Sequence, residues 1–318
     1  VLPCLDEQAS VEALLDRLVP VLGSAARDAW EVIFVDDGST DGTPEILAAR
    51  SARDPRIKLI SLSRNFGHQA ALSAGLDAAS GDAVVLMDCD GQDPPEVIPE
   101  LVARWRAGAD VVVAVRRSRT ESFARRTAYA LFYRLLRALA EIEIPLDAGD
   151  FSLLDRRAVE EIRALPERNR FLRGLRAWIG FRQEQVEYDR AARLSGDSKY
   201  TLRKLVRLAL SGFLGFSLVP LRLAVWLGLG TAATGGLLGL YVLASYLFRS
   251  TTPRGWTSLA AIILFLGGVQ LIVTGVIGEY LGRAYDEVRQ RPLYIVRRRV
   301  GFGEAIRKAG VGGAAERP

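Results

Sequence analysis

Two carboxylates one residue apart, Asp88 and Asp90 in the run DCDGQ, follow directly on the apolar stretch 83–87. An apolar run of that length, with Pro94 and Pro95 just beyond it, reads as a buried strand that stops at the carboxylates. The carboxyl ends of strands are where α/β sheets bind ligands. Oxygen ligands of this kind suit Mg²⁺ or Mn²⁺, and Mg²⁺ is usually held by one or two carboxylates together with substrate phosphates. A diphosphate is the ligand such a site would take. The plain alternative for this pair alone is a solvated acidic turn.

Other acids fall at comparable positions. Asp36, Asp37, Gly38 and Ser39 follow a second apolar run, with Asp37 the expected ligand contact and Asp41 the expected cap of the next helix. Asp6 and Glu7 come just after Pro3, at the end of a first short strand. Arginines join them: Arg64 after a third apolar run, and Arg116, Arg117 and Arg119 after a fifth. Guanidinium forks bind phosphate oxygens with two donors, and Arg116, first off its strand, is the best placed. Asp150, in the small-residue context AGDFS, is expected to position the acceptor or to act as a base.

Bringing these residues to one edge requires a sheet. Apolar runs at 1–3, 31–35, 57–62, 83–87 and 111–115 alternate with helical patterns at 8–22, 42–53, 69–79 and 97–107. That alternation predicts an α/β domain with a mostly parallel sheet covered by helices. The stretch 123–140 mixes arginines with aromatics and leucines, as either a core helix or one lying in a membrane interface would. The basic, then apolar, stretch 201–222 is expected to be interfacial.

The last third changes character. No charged side chain occurs from 223 to 248 or from 255 to 278. Each stretch exceeds the roughly 20 residues that cross a bilayer, so a two-helix transmembrane hairpin is expected. Lys199, Arg203, Lys204 and Arg207 precede it and Arg297, Arg298 and Arg299 follow, whereas the connecting loop carries only Arg249 and Arg254. The positive-inside rule then places both termini and the catalytic domain in the cytoplasm, on a multi-pass inner (plasma) membrane protein. The net charge of +5 reads as affinity for membrane lipids and gives no sign of nucleic-acid binding. Small residues in the spans would permit a homo-oligomer. The expected parts are a catalytic domain over 1–200, an interfacial helix over 201–222, two spans over 223–280 and a basic cytoplasmic segment over 281–318. The two cysteines, Cys4 and Cys89, need no disulfide in a cytosolic domain, and a single histidine, His68, argues against a histidine-based metal cluster. The chain opens on Val1 with Met87 its only methionine, so its true start is expected to lie upstream.

In series, VLPCLDE, VDDGSTDGT, LSRNFGHQAAL, DCDGQDPPE, GDFSLLDR, SGDSKYTLRKL and FSLVPLRL resemble family 2 glycosyltransferases of the polyprenol-phosphate type. These are the bactoprenol glucosyltransferases and dolichol-phosphate mannose synthases. The resemblance implies a GT-A (Rossmann-like) fold and transfer of a sugar from a nucleotide diphosphate sugar, with UDP favoured, to polyprenyl (undecaprenyl) phosphate. It implies that Asp88, Asp90 and Gln92 hold the divalent metal and that Pro3, Glu7 and Asp37 contact the nucleotide. Arg116 would bind the donor's phosphates, Lys199 and Arg203 the acceptor phosphate, and Asp150 would stand near the reacting sugar. Asp6, Cys89 and Ala114 depart from the family's usual asparagine, alanine and glycine. A processive polysaccharide synthase is disfavoured, because no Gln-x-x-Arg-Trp motif occurs and two spans form no channel. A non-catalytic membrane scaffold is disfavoured by the intact acidic pairs.

Overall fold

The computed structural model describes residues 1–117, 148–168, 170–189, 219–249 and 255–303. Three strands open the chain, β1 (Leu2–Cys4), β2 (Val32–Asp36) and β3 (Ile57–Leu62), paired in parallel in that order. They are joined through α1 (Val11–Ala26) and α2 (Thr43–Arg53). In α1, Val11, Leu14, Leu15 and Leu18 are buried, the helical spacing that turns one face to a core. β2 is buried at every position, as a central strand covered on both sides must be.

After β3 comes α3 (His68–Ala78), which packs against β1 and β2. A Cβ on its Gly75 would collide with Val1 and stand 3.2 Å from Val35 Cγ2, so the close approach requires glycine there. Then follow β4 (Ala83–Leu86), a 3₁₀ turn at Pro95–Val97, α4 (Ile98–Arg106) and β5 (Val111–Arg116). The chain continues with β6 (Ala148–Asp155), α5 (Arg156–Ala164), α6 (Leu172–Trp178) and β7 (Gln183–Tyr188).

The strand orders are β1-β2-β3-β8 and β4-β6-β5-β7, where β8 is Val296–Val300. Val1 joins the two sheets, its backbone nitrogen donating to Val85 O (2.7 Å) and its carbonyl accepting from Met87 N (3.1 Å). The sheets are mixed, which corrects the expectation of a mostly parallel one. β6 runs antiparallel to both β4 and β5, and β8 runs antiparallel to β3. The reason lies in where the chain re-enters. β5 ends and β6 begins at the same edge, with Val115 opposite Ala148, so no crossover is needed.

The two long helices, α7 (Val219–Arg249) and α8 (Trp256–Arg289), contact each other and form a separate compact unit. Both are long and apolar enough to cross a membrane, with mean hydropathy 1.3 over Ala224–Tyr241 and 1.4 over Phe265–Arg289. Trp226, Leu237 and Leu240 on α7 are exposed, as are Phe265, Leu271 and Ile272 on α8. Helices that expose large apolar side chains along their length are suited to lipid. The expected helix at 123–140 and nearly all of that at 201–222 lie outside the described residues.

Candidate active site

The register of β4 on β6 sets the site. Leu86 faces Ser152 in that antiparallel pair, so Asp88, just past the end of β4, comes level with Asp150 near the start of β6. His68, the first residue of α3, stands between them, with Nε2 3.2 Å from Asp150 Oδ2 and 3.5 Å from Asp88 Oδ1. Arg173, on α6, closes the group from the other side. Its Nε and Nη2 donate to Asp150 Oδ1 and Oδ2, both at 2.8 Å. Arg176, one turn on, is buried and its Nη2 donates to Gly149 O at 3.4 Å.

These contacts divide the carboxylates electrically. Burial alone would raise the Asp150 carboxyl, but the Arg173 fork and His68 outweigh it and hold it well below the usual carboxylate range. Asp88 goes the other way, pushed up to about 6 by burial and by the charges of Asp150, Asp93 and Asp90, against the pull of His68. Burial opposes a charge on His68 too, yet Asp150 and Asp88 raise its pKa above the ordinary value. Asp88 Oδ1 is also buried without a hydrogen-bond partner. A buried carboxylate oxygen left in that state is costly, and a cation would satisfy it. The residues therefore fit a divalent metal, which Asp88, Asp90 and Gln92 would hold. Asp90 Oδ1 accepts from Gln92 N at 3.1 Å, which folds the loop back over Gly91 at φ +73°.

The β1 and β2 ends form the second half of the rim. Asp37 is buried, and its two oxygens accept from Phe66 N (2.7 Å) and Gly67 N (2.9 Å), which anchors the loop leading into His68. Gly38, at φ +79°, lies so close beneath that loop that a Cβ would meet Arg64 C and Asn65 N at 2.7 Å. Asp36 Oδ1 accepts from Ser39 N at 2.9 Å, which holds the turn after β2. Asp41 is the expected cap of α2, but the cap position is Gly42 and Asp41 stands one residue before it, accepting from Thr43 N (3.0 Å) and Thr43 Oγ1 (2.6 Å). Asp6, at φ +54°, accepts from Thr40 N, a backbone state that aspartate and asparagine tolerate better than most residues. Glu7 accepts from Ser10 Oγ at 2.5 Å, and Pro3 is buried in β1 beside Val35.

Arg116 ends β5, and its Nε donates to Tyr188 Oη at 3.5 Å, while Tyr188 Oη donates to the buried Asp93 Oδ1 at 2.6 Å. A Cβ on Gly149 would stand 3.5 Å from Arg116 Nη2, so this guanidinium borders the Asp150 turn. Arg117 is exposed and pairs with Glu187 and Asp189. Arg64 stacks over the Phe66 ring at 4.0 Å. Lys199, Arg203 and Arg119 lie outside the described residues. Sequence reasoning missed Arg173, Tyr188 and Asp93, and it set His68 aside. The GHQ run at the start of a helix after a strand was the available signal for His68.

Mixed sheets with helices on their faces and an acidic strand edge define a GT-A-like glycosyltransferase. The Glycosyl transferase family 2 model matches residues 1–163, and the chain belongs to that family. It is 46% identical over 303 residues to an uncharacterized glycosyltransferase of Bacillus subtilis, covering 95% of this chain and 94% of the relative. It is also 46% identical over 269 residues to the SfII prophage-derived bactoprenol glucosyl transferase of Shigella flexneri, covering 84% of this chain and 87% of the relative. Among solved structures it is similar to glucosyl-3-phosphoglycerate synthase from Mycobacterium tuberculosis, in complex with Mn²⁺, UDP-glucose and glycerol 3-phosphate. That match has a TM-score of 0.42 and 26% identity, over 65% of this chain and 74% of the other.

Proposed function

We propose that this protein is a membrane-bound, inverting glycosyltransferase that moves a hexose from a nucleoside diphosphate, UDP by preference, to polyprenyl phosphate, undecaprenyl phosphate in bacteria. The product would serve modification of cell-envelope glycans. The observation that carries the reading is the juxtaposition of Asp88, whose buried Oδ1 accepts no hydrogen bond, and Asp150, locked by Arg173, at one strand edge. The similarity over most of the chain to bactoprenol glucosyl transferases supports the acceptor.

A bound Mg²⁺ or Mn²⁺ would supply Lewis-acid stabilisation of charge growing on the leaving diphosphate. The protein's own groups do the rest. Arg116, steadied by Tyr188, would hold donor phosphate, and Pro3, Glu7 and Asp37 would form the nucleotide rim. Lys199 and Arg203 would draw in the acceptor phosphate. That phosphate has a second pKa near ~6 and is largely dianionic at neutral pH, so it needs no base. One of its oxygens attacks the anomeric carbon, the bond from that carbon to the diphosphate oxygen breaks, and the electron pair leaves with the nucleoside diphosphate. A single displacement inverts the centre. Asp150 would orient the reacting partners rather than take a proton.

The lipid tail stays in the bilayer, so the site must work at the membrane face. Connectivity supports the hairpin: α8 ends at Arg289 and the chain is already a strand of the catalytic unit at Val296. Chain that short cannot recross a bilayer, since each residue spans at most about 3.6 Å. The end of α8 and the catalytic unit therefore share one side, cytoplasmic by the positive-inside rule. Purified protein given undecaprenyl phosphate, Mg²⁺ or Mn²⁺ and a panel of nucleotide sugars should yield a sugar-phosphate lipid detected by mass. No product with any donor, together with no calorimetric binding of any nucleotide sugar, would leave a non-catalytic scaffold.

A further inference from the structure

Two elements converge on the carboxylate of Asp150. Arg173 of α6 forks onto both oxygens, and His68 of α3 approaches Oδ2. The two approaching elements are also tied to each other, because Gln69 Oε1 accepts from Leu172 N at 2.8 Å. On its other flank His68 is preceded by Phe66 and Gly67, whose N–H groups donate to Asp37. A continuous set of contacts thus runs from the end of β2 through His68 to Asp150 and Arg173. Asp88 Oδ1 lies 3.5 Å from the same histidine nitrogen.

Stability does not account for this arrangement. Asp150 is only 6% exposed. Replacing a buried ion pair by well-packed apolar groups is often neutral or stabilising, so charge kept at such a position needs another reason. The location supplies one. Asp150 and Asp88 come from different strand ends, and His68 Nε2 lies within 3.5 Å of an oxygen of each. Groups that act on a transition state must be held within a fraction of an ångström, and supporting hydrogen bonds are what hold them.

We infer that Arg173 and His68 are positioning residues for sugar transfer: Arg173 fixes the orientation of the Asp150 carboxylate, and His68 sets the spacing between Asp150 and Asp88. The inference rests on the transferase reading above. Its consequence is that Arg173 acts through Asp150, and that His68 acts through Asp88 as well.

The test uses the full chain in nanodiscs. Arg173→Met should lower kcat at least ~10-fold with the KM for nucleotide sugar changed by less than about 2-fold. Combined with Asp150→Asn it should cost no more than about 3-fold beyond Asp150→Asn alone, since residues acting as a unit are not additive. Losses that multiply would overturn the inference and make Arg173 a substrate contact. Should Arg173→Met fail to fold, Arg173→Lys keeps the charge without the fork and should still lower kcat; wild-type kcat there would overturn the inference. His68→Leu should weaken Mn²⁺ binding in the presence of UDP, read by calorimetry, by ~10–100-fold, the usual effect of losing a group that orients a metal ligand. His68→Gln, whose amide nitrogen can stand near the Nε2 position, should stay within about 3-fold of wild type. Equal affinities for wild type and His68→Leu would overturn the role of His68. A wild-type protein that binds nucleotide but makes no lipid product would instead overturn the transferase reading.

Discussion

Arg173 and Asp150 form a two-point ion pair at the reactive edge of the sheet, Nε to Oδ1 and Nη2 to Oδ2, both 2.8 Å. A planar fork on a planar carboxylate fixes direction as well as charge. The pair and His68 also hold the carboxyl well below the usual range despite burial, which suits it to the proposed orienting role. An efficient general base has a pKa near the working pH, and this one does not.

Asp150→Asn should therefore lower kcat by ~10–100-fold, the scale of a lost positioning contact, without removing the acidic limb of the pH–rate profile. The proposed mechanism assigns the limb to the acceptor, since a bound divalent metal would keep Asp88 ionised through the same range. Its phosphate gains its second charge near pH ~6, so the rate should rise with pH through that region in wild type and variant alike. Two-substrate kinetics from about pH 5 to 9 decide it. Loss of the limb in the variant would make Asp150 the base.

Asp90→Ala should reduce transfer by ~10³-fold or more while the protein still inserts in membranes, because removing a proposed metal ligand would withdraw electrostatic stabilisation from the leaving group. Asp90 also shapes the loop through its bond to Gln92 N, so the second measurement is the melting temperature. Turnover close to wild type at saturating Mn²⁺ would remove Asp90 from the metal site.

Asp155 ends β6 and caps α5, accepting from Arg157 N at 2.9 Å and from Trp105 Nε1 at 2.8 Å. Asp155→Ala should cost about 1–2 kcal/mol of stability, with no change in the KM for either substrate. Burial opposes ionisation of Asp155, but Trp105 and Arg157 prevail and its folded pKa is lowered. The contribution is therefore complete above the unfolded value near ~3.9 and fades as pH falls through the folded one. Denaturant melts of wild type and variant should accordingly converge at low pH and separate towards neutrality. Melts that stay equally far apart at both ends would show that the cap does not depend on ionised Asp155.

Much of the acidic rim was legible because each carboxylate follows an apolar run and strand ends are strong punctuation. The span 57–62 was read as a strand and is β3 to the residue. Legibility failed where the partner decides the structure. Val296–Val300 carries three consecutive arginines and reads as a solvated basic run, yet it pairs with β3 because that edge has unsatisfied backbone groups. The direction of β6 depends on which edge the chain re-enters, which local periodicity does not encode. Arg173 is one of several arginines between 163 and 182, and only the folding of α6 against Gln69 singles it out. His68 was judged by its number, one per chain, when its meaning lay in its place at the start of α3.

The membrane arrangement yields the last prediction. If α7 and α8 cross the membrane as proposed, the exit from α8 at Arg289 and the strand Val296–Val300, which follows it closely, would be on one side. An even number of crossings then puts the entry to α7 on that same side, and the segment between the helices on the other. Cys4 and Cys89 are buried and should not react in the folded protein. In intact cells, Thr252→Cys should accordingly be labelled by a membrane-impermeant maleimide, while the parent chain is not. A tag after Pro318 should become reactive only when the membrane is opened. Labelling of that tag in intact cells would reverse the orientation. Protection of Thr252→Cys from both the impermeant and the permeant reagent would mean that the two helices do not cross the bilayer as a hairpin, and the acceptor lipid would have to reach the site by another route.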